Sequence, residues 1–266
     1  MDKQSTHTTQ TDPVTTSLRL CWCLCSRKTA VMVTLVLSLA LIIFIAVREP
    51  LTSVAETLGI VESSRVVDEV AEAVGSAAVS LEVTSLYQNP ELPTGCESVA
   101  LTDLLLFWGF DLDKTTIADS WLPTSDFDFV YSFLGSPYDT AGNACMAPCI
   151  VETANAYLAA QNSSLVAYDM TDASLVDLLE KLDEGKPVIA WTTIDLADAG
   201  YPYASQWSNG IHYDLYANSH CVVVSGYDIE QGTLTVADPL VGTAVYDMSE
   251  FVQRFEQLGS QAVVVE

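Results

Sequence analysis

Between Pro93 and Gly109 the chain carries a helix that is apolar almost all the way round, and such a helix belongs at the centre of a fold. Val99, Ala100, Leu104, Phe107 and Trp108 recur at helical spacing, Leu101 and Leu105 widen the face, and Gly109 stops it. Pro93, Thr94 and Gly95 form the turn leading in, so the helix begins at Cys96 or Glu97. A core helix of this breadth needs partners on several sides, and the rest of the sequence supplies them. Further helices are expected over Cys149 to Ala160 and over Asp172 to Glu184, the latter ended by Gly185. Strands then dominate: PVIAWTTI (Pro187 to Ile194), CVVVSGY and TLTVAD with a turn around Ile229 to Gly232, TAVYD, and, after the helix SEFVQRFEQLG, QAVVV. Asp195 to Ser219 reads as a loop. Helices first and strands afterwards is an α+β order, with N-terminal helices packed against a C-terminal antiparallel sheet.

Upstream of that domain, expected over 81–266, the chain changes character three times. Residues 1–29 read as a cytoplasmic tail, polar and disordered over its first part because it has little to bury. Residues 30–47 are unbroken apolar sequence apart from Thr34 and Ser38, and at about 1.5 Å per residue they just span a bilayer core. Arg19, Arg27 and Lys28 precede this run and Arg48 follows it, so the N-terminus is expected in the cytoplasm and everything after Arg48 outside the cell membrane. The run is long for a cleaved signal peptide and no clear small-x-small site ends it, so a retained single-pass anchor is expected. Cys21, Cys23 and Cys25 at its inner edge are candidates for acylation. Residues 48–80 read as a stalk or connector holding one short helix, with Val66, Val67, Val70 and Val74 on one face and Ser63 or Ser64 as cap.

Charge divides at the same boundary. The whole chain has 10 basic and 35 acidic residues; residues 1–48 hold 5 and 2 of them, leaving 5 and 33 in residues 49–266, a formal net charge of -28. A surface so acidic excludes nucleic acid as a partner, because phosphate neutralisation needs basic groups.

Three residues far apart in sequence stand in an arrangement suited to a sulfur nucleophile. Cys96 opens the central helix, where unpaired backbone N–H groups and the dipole favour a thiolate. His220 and Asp238 are symmetric about residue 229, the turn of the expected hairpin, so they are predicted to lie side by side at its open end. An imidazole held by a carboxylate there keeps its other nitrogen for the thiol proton. Gln88, eight residues before Cys96, is placed to donate to an oxyanion together with the Cys96 backbone N–H. Such chemistry needs no cofactor and no metal.

Cys145, Cys149 and Cys221 are three candidates for one disulfide: a Cys145–Cys149 bridge is awkward on one unbroken helix, whereas Cys149–Cys221 would tie the second helix to the hairpin. A zinc site from these cysteines with His212 or His220 lacks any recognisable ligand spacing. Tyr201, Tyr203, Trp207 and Tyr213, interleaved with Gly200 and Gly210, are candidates either for lining a substrate cleft or for covering a sheet edge. Asn162-Ser163-Ser164 is an acceptor sequon.

The stretch from Gln88 to Gly109, the phrase SFLGSPYDTAGNACMAPCIVETANAYL, the segment GKPVIAWTTI, and HCVVVSGYD followed by VADPLVG together resemble the C39-like peptidase family, relatives of the double-glycine leader peptidases within the papain-like group. The resemblance runs over nearly all of residues 81–266 and implies a papain-like fold and cysteine peptidase chemistry on a peptide or protein substrate. It implies Cys96 as nucleophile, His220 as base, Asp238 as its orienting residue and Gln88 as the oxyanion glutamine. Cys149 and Cys221 stand where the family has aliphatic residues, which implies a disulfide suited to an oxidising exterior. The sequence also leaves open two other readings: an amidase acting on peptidoglycan stem peptides, and a surface module that binds peptide without turnover.

Overall fold

A computed structural model describes Val67, Val70, Ala71 and residues 73–266 of the chain. The tail, the apolar run at 30–47, the cysteines at its inner edge and the Ser63/Ser64 cap lie outside the described residues. Among those described, no helix is long and apolar enough to cross a membrane.

Helix α1 (Cys96–Phe107) has its first ten residues buried, which is what its all-round apolar sequence demands. It packs with α2 (Thr116–Ser120) and α3 (Ala147–Ala160) against one face of a seven-stranded sheet. The sheet is built from β1 (Ala78–Ser80), β4 (Ala167–Asp169), β5 (Val188–Thr193), β8 (Ser219–Asp228), β9 (Thr233–Asp238), β10 (Gly242–Asp247) and β11 (Ala262–Val265). Its order is β10-β9-β8-β5-β11-β4, with β1 added to β8, and every pairing in it is antiparallel. Two two-residue strands, β2 (Thr124–Ser125) and β3 (Phe133–Leu134), pair in parallel between α2 and α3.

Both faces of this sheet are covered. Ile189, Trp191, Cys221, Val223, Ala237 and Val263 join α1 and α3 in one core; Val188, Ala190, Val222, Val224, Val236 and Val264 join α4 (Leu175–Asp183) and α5 (Met248–Gln257) in the other. Hence β5 is buried at all six positions, its first four residues, Val188 to Trp191, forming an unbroken apolar run. The expectation of an α+β fold holds, but helices lie on both sides of the sheet, since α4 and α5 each carry a single apolar stripe that must also be buried.

Three local expectations are corrected. First, α3 starts at Ala147 and α4 at Leu175, because Pro148 suits a first helical turn and Ser174 forms a reciprocal capping box with Asp177. Second, the segment from Asp195 to Ser219 is no simple loop: β6 (Ala204–Ser208) and β7 (Ile211–Leu215) form a hairpin through Asn209-Gly210, both at positive φ. Third, the end of the connector belongs to the domain. Val67, Val70, Ala71 and Ala73 are helical, Val70 is buried in the second core, and β1 pairs with the far end of β8. The Gly75 N–H donates to Asp183, and Tyr227 Oη donates to Asp183 at 2.8 Å with Ser76 O within 3.1 Å of it.

The register of the central hairpin also differs from the symmetric one expected. Val223 faces Ala237 and Val224 faces Val236, with a bulge between Val224 and Gly226. Continuing this register sets Asp238 across from Val222, so His220 lies two residues further along, on the diagonal. The strand partner of His220 is Thr192 of β5.

Candidate active site

His220 and Asp238 nevertheless meet. The diagonal is short enough for two extended side chains, and His220 Nε2 lies 2.8 Å from Asp238 Oδ1 with both residues buried. Asp238 is held from two further directions: Tyr246 Oη of β10 donates to Oδ2 at 2.5 Å and the Leu240 N–H donates to Oδ1 at 2.7 Å. Burial alone would raise this carboxyl, but the His220 bond and charge, the Tyr246 hydroxyl and the Leu240 N–H together hold it below the usual carboxylate range. Asp238 therefore stays ionised, and with Nε2 engaged, Nδ1 of His220 is the ring nitrogen left for proton transfer.

Cys96 sits at the first turn of α1, 5% exposed, beside the same end of β8. Gly95 precedes it, and a Cβ there would come within 2.8 Å of Leu92 Cβ and 3.1 Å of Ser98 Oγ; only glycine lets the turn close this tightly. The backbone N–H of Cys221, the residue after His220, is aimed at the sulfur. The thiol itself donates to Glu97 Oε2 at 3.2 Å.

That last bond reverses an expectation. The helix N-terminus and a neighbouring imidazolium should favour a thiolate, yet the Cys96 thiol is pushed well up. Burial is the largest cause, followed by the charge of Glu97, that of Cys221 and the hydrogen bond to Glu97, against which the Cys221 N–H works in the lowering direction. In this arrangement Cys96 is held as a neutral thiol.

Glu97 and Tyr246 are the two site residues that sequence reasoning missed. A glutamate in a first helical turn reads as an ordinary dipole partner. The available signal was that Glu97 and Asp103 are the two charges on a helix apolar on every side, so both had to be buried.

Gln88 is buried beside this turn. Its backbone N–H donates to Pro239 O at 2.8 Å, which ties it to the segment just after Asp238, and its Nε2 donates to Pro93 O at 2.8 Å. Its Oε1 has no partner although it is buried. One N–H of the amide remains for a ligand.

The other candidates separate from this cluster in different ways. Cys145, Cys149 and Cys221 are buried in the first core and, like Cys96, carry free thiols; none is joined in the disulfide expected from sequence. Cys145 hydrogen-bonds Cys149 across the turn into α3, while Cys221 lies on the core-facing side of β8 near Glu97. Burial first, then Glu97 and Asp238, push the Cys221 thiol up. Cys221, His220 and Asp238 thus form one buried cluster with Cys96 and Glu97. Among the described residues no group of His, Cys, Asp and Glu is arranged to hold a metal ion.

The aromatic segment divides: Tyr201, Tyr203 and Trp207 are exposed, whereas Tyr213 is buried with Phe129, Val130, Met146 and Leu215 in a satellite core. Tyr213 also borders a cavity of about 260 Å³ between β7 and the end of α5, whose lining includes none of Gln88, Cys96, His220 or Asp238.

Residues 80–263, well over half the chain, match the Peptidase_C39 like family. The uncharacterized protein YvpB of Bacillus subtilis (strain 168) is 27% identical over 186 residues, covering 66% of this chain and 71% of that protein. A crystal structure of a candidate C39-like peptidase from Bacillus anthracis superimposes with a TM-score of 0.63 at 26% identity, covering 72% of this chain and 98% of the other. The chain belongs to the C39-like peptidase family.

Proposed function

We propose that this protein is a cysteine peptidase in which Cys96 is the nucleophile, His220 the general base and acid, Asp238 the orienter of His220, and Gln88 an oxyanion donor. The observation that carries this reading is the buried His220–Asp238 pair at 2.8 Å, set beside a cysteine at a helix N-terminus whose sulfur faces the backbone of the next residue, Cys221. His220 Nδ1 takes the Cys96 proton and the sulfur attacks the peptide carbonyl carbon. The free N–H of Gln88 and the Cys96 backbone N–H receive the oxyanion. The imidazolium then protonates the departing amine, and a water deprotonated by His220 clears the thioester. Ionised Asp238 supports the imidazolium at both stages, and no metal or cofactor enters.

The apolar run at 30–47 and its flanking charges support a membrane-anchored enzyme with its catalytic domain outside the cell. A thiol-directed peptide probe, with the adduct located by peptide mass spectrometry, tests the nucleophile. Cys96→Ala is expected to abolish both labelling and peptide hydrolysis. Turnover that persists in Cys96→Ala, or an adduct found at Cys221, would overturn the assignment.

A further inference from the structure

The reaction scheme gives the buried Glu97, beside the thiol, no task. Glu97 is fully buried, and neighbours from every element around it converge on its carboxyl. From α1, the Cys96 thiol donates to Oε2 at 3.2 Å, and the residue's own N–H points at the carboxyl. From the segment before α3, the Cys145 N–H donates to Oε1 at 3.0 Å, and the Cys145 thiol is close enough to feel the carboxyl's charge. From β8, His220 and the Cys221 thiol both lie close enough to interact electrostatically with it, and Asp238 of β9 stands behind His220. The proton of the nucleophile is thus directed at a carboxyl oxygen, and the hydrogen-bond partner of the thiol is Glu97 and not the imidazole.

We propose that Glu97 is a positioning residue that holds Cys96 as a thiol in the resting enzyme and so gates formation of the Cys96–His220 ion pair. The inference rests on the assignment of Cys96 as nucleophile made above. Activation breaks the S–H bond and forms an N–H bond at His220 Nδ1, leaving thiolate and imidazolium with no change of oxidation state. An ionised Glu97 opposes that step by setting a second negative charge within hydrogen-bond distance of the sulfur. A protonated Glu97 favours it, because its O–H can be donated to the thiolate. The ion pair therefore belongs to the form in which Glu97 carries a proton. Burial, against the pull of its own N–H, the Cys96 and Cys145 bonds and the His220 charge, raises Glu97 to about 7, so that form predominates below neutrality and is lost as pH rises through it.

The test is the rate of iodoacetamide alkylation at Cys96 between pH 5 and 10 in the full chain, wild type beside Glu97→Gln, with the modified residue located by mass spectrometry. Glutamine keeps an oxygen for the Cys145 N–H and removes the charge. The expected wild-type profile has an inflection near pH 7 and a late rise. In Glu97→Gln the inflection disappears, the rise moves to lower pH, and labelling at pH 8 is about tenfold faster or more. Equal or slower labelling in Glu97→Gln with an unchanged profile overturns the proposal. Should that variant fail to fold, a wild-type profile with a single ionisation and no inflection near 7 does the same. A Cys96→Ala protein that still hydrolyses peptide removes the catalytic assignment instead, while the alkylation profile continues to report on the pairing of Glu97 with Cys96.

Discussion

Replacing Asp103 by asparagine should destabilise the protein in acid and stabilise it in base. Asp103 lies in α1, fully buried, and its two oxygens accept the Leu86 N–H at 3.2 and 3.3 Å. Burial raises it from an ordinary 3.8 to about 8, the Leu86 N–H only partly offsetting this. Between those values the folded chain holds a proton that the unfolded chain has released. Stability is therefore greatest below about pH 4 with respect to this group and falls as pH rises to about 8. The full gap corresponds to at most roughly 6 kcal/mol, and local relaxation with water entry brings the expectation to about 3 kcal/mol. Asparagine cannot ionise. Its oxygen still accepts the Leu86 N–H, but its amide hydrogens lack partners, at a cost of about 1 kcal/mol. Asp103→Asn should thus be about 1 kcal/mol less stable than wild type at pH 3, about equal to it near pH 4.5 and about 2 kcal/mol more stable at pH 9. Guanidinium unfolding followed by circular dichroism at several pH values reads the difference, in which the titration of Glu97, common to both proteins, cancels. Two curves that stay parallel from pH 4.5 to 9 would refute the reasoning. Leu86 is two residues from Gln88, so the same bond also fixes the segment that carries the proposed oxyanion donor.

Two further outcomes follow from the site. Tyr246→Phe removes the donor to Asp238 Oδ2, a charge-assisted bond worth about 1.5–3 kcal/mol, so kcat/KM should fall roughly tenfold and its acid limb should move to higher pH as Asp238 loses support; an unshifted limb counts against this role. Gly95→Ala forces a Cβ to within 2.8 Å of Leu92 Cβ and should cost about 1–3 kcal/mol by thermal unfolding while slowing alkylation of Cys96, whereas Gly109→Ala, with open space but a φ of 86°, should cost stability of about 1 kcal/mol without touching the thiol.

The sequence carried most of the framework because the framework depends on periodicity. The all-round apolar pattern of α1 required a central helix, and the unbroken apolar VIAW run required a strand buried on both faces. The β6–β7 hairpin is hard to see in the sequence because β6 is polar and half exposed, and only the Asn209-Gly210 turn together with the buried Tyr213 and Leu215 fixes its register. His220 and Asp238 were paired for a reason that proved only half right. The hairpin turns between residues 230 and 231 rather than at 229, which by itself would leave the two on opposite faces; the bulge between Val224 and Gly226 returns them to one face, diagonal to each other, and side-chain length closes the gap. The expected disulfide failed because residue identity alone does not say which way two sulfurs point: Cys221 faces the core beside Glu97, while Cys149 is turned toward Cys145.

By itself the sequence determined which residues must be buried, and so the helix, the strands and the end of the sheet where a thiol, an imidazole and a carboxylate gather. Those are consequences of hydrophobic spacing and turn chemistry, which are local and additive. Only the tertiary structure decided the state of the thiol. Whether Cys96 rests as a thiolate depends on the balance between a helix N-terminus, the Cys221 N–H and a buried glutamate 3.2 Å away. Electrostatic balances of that kind are set by desolvation and distance, neither of which exists until the chain has folded.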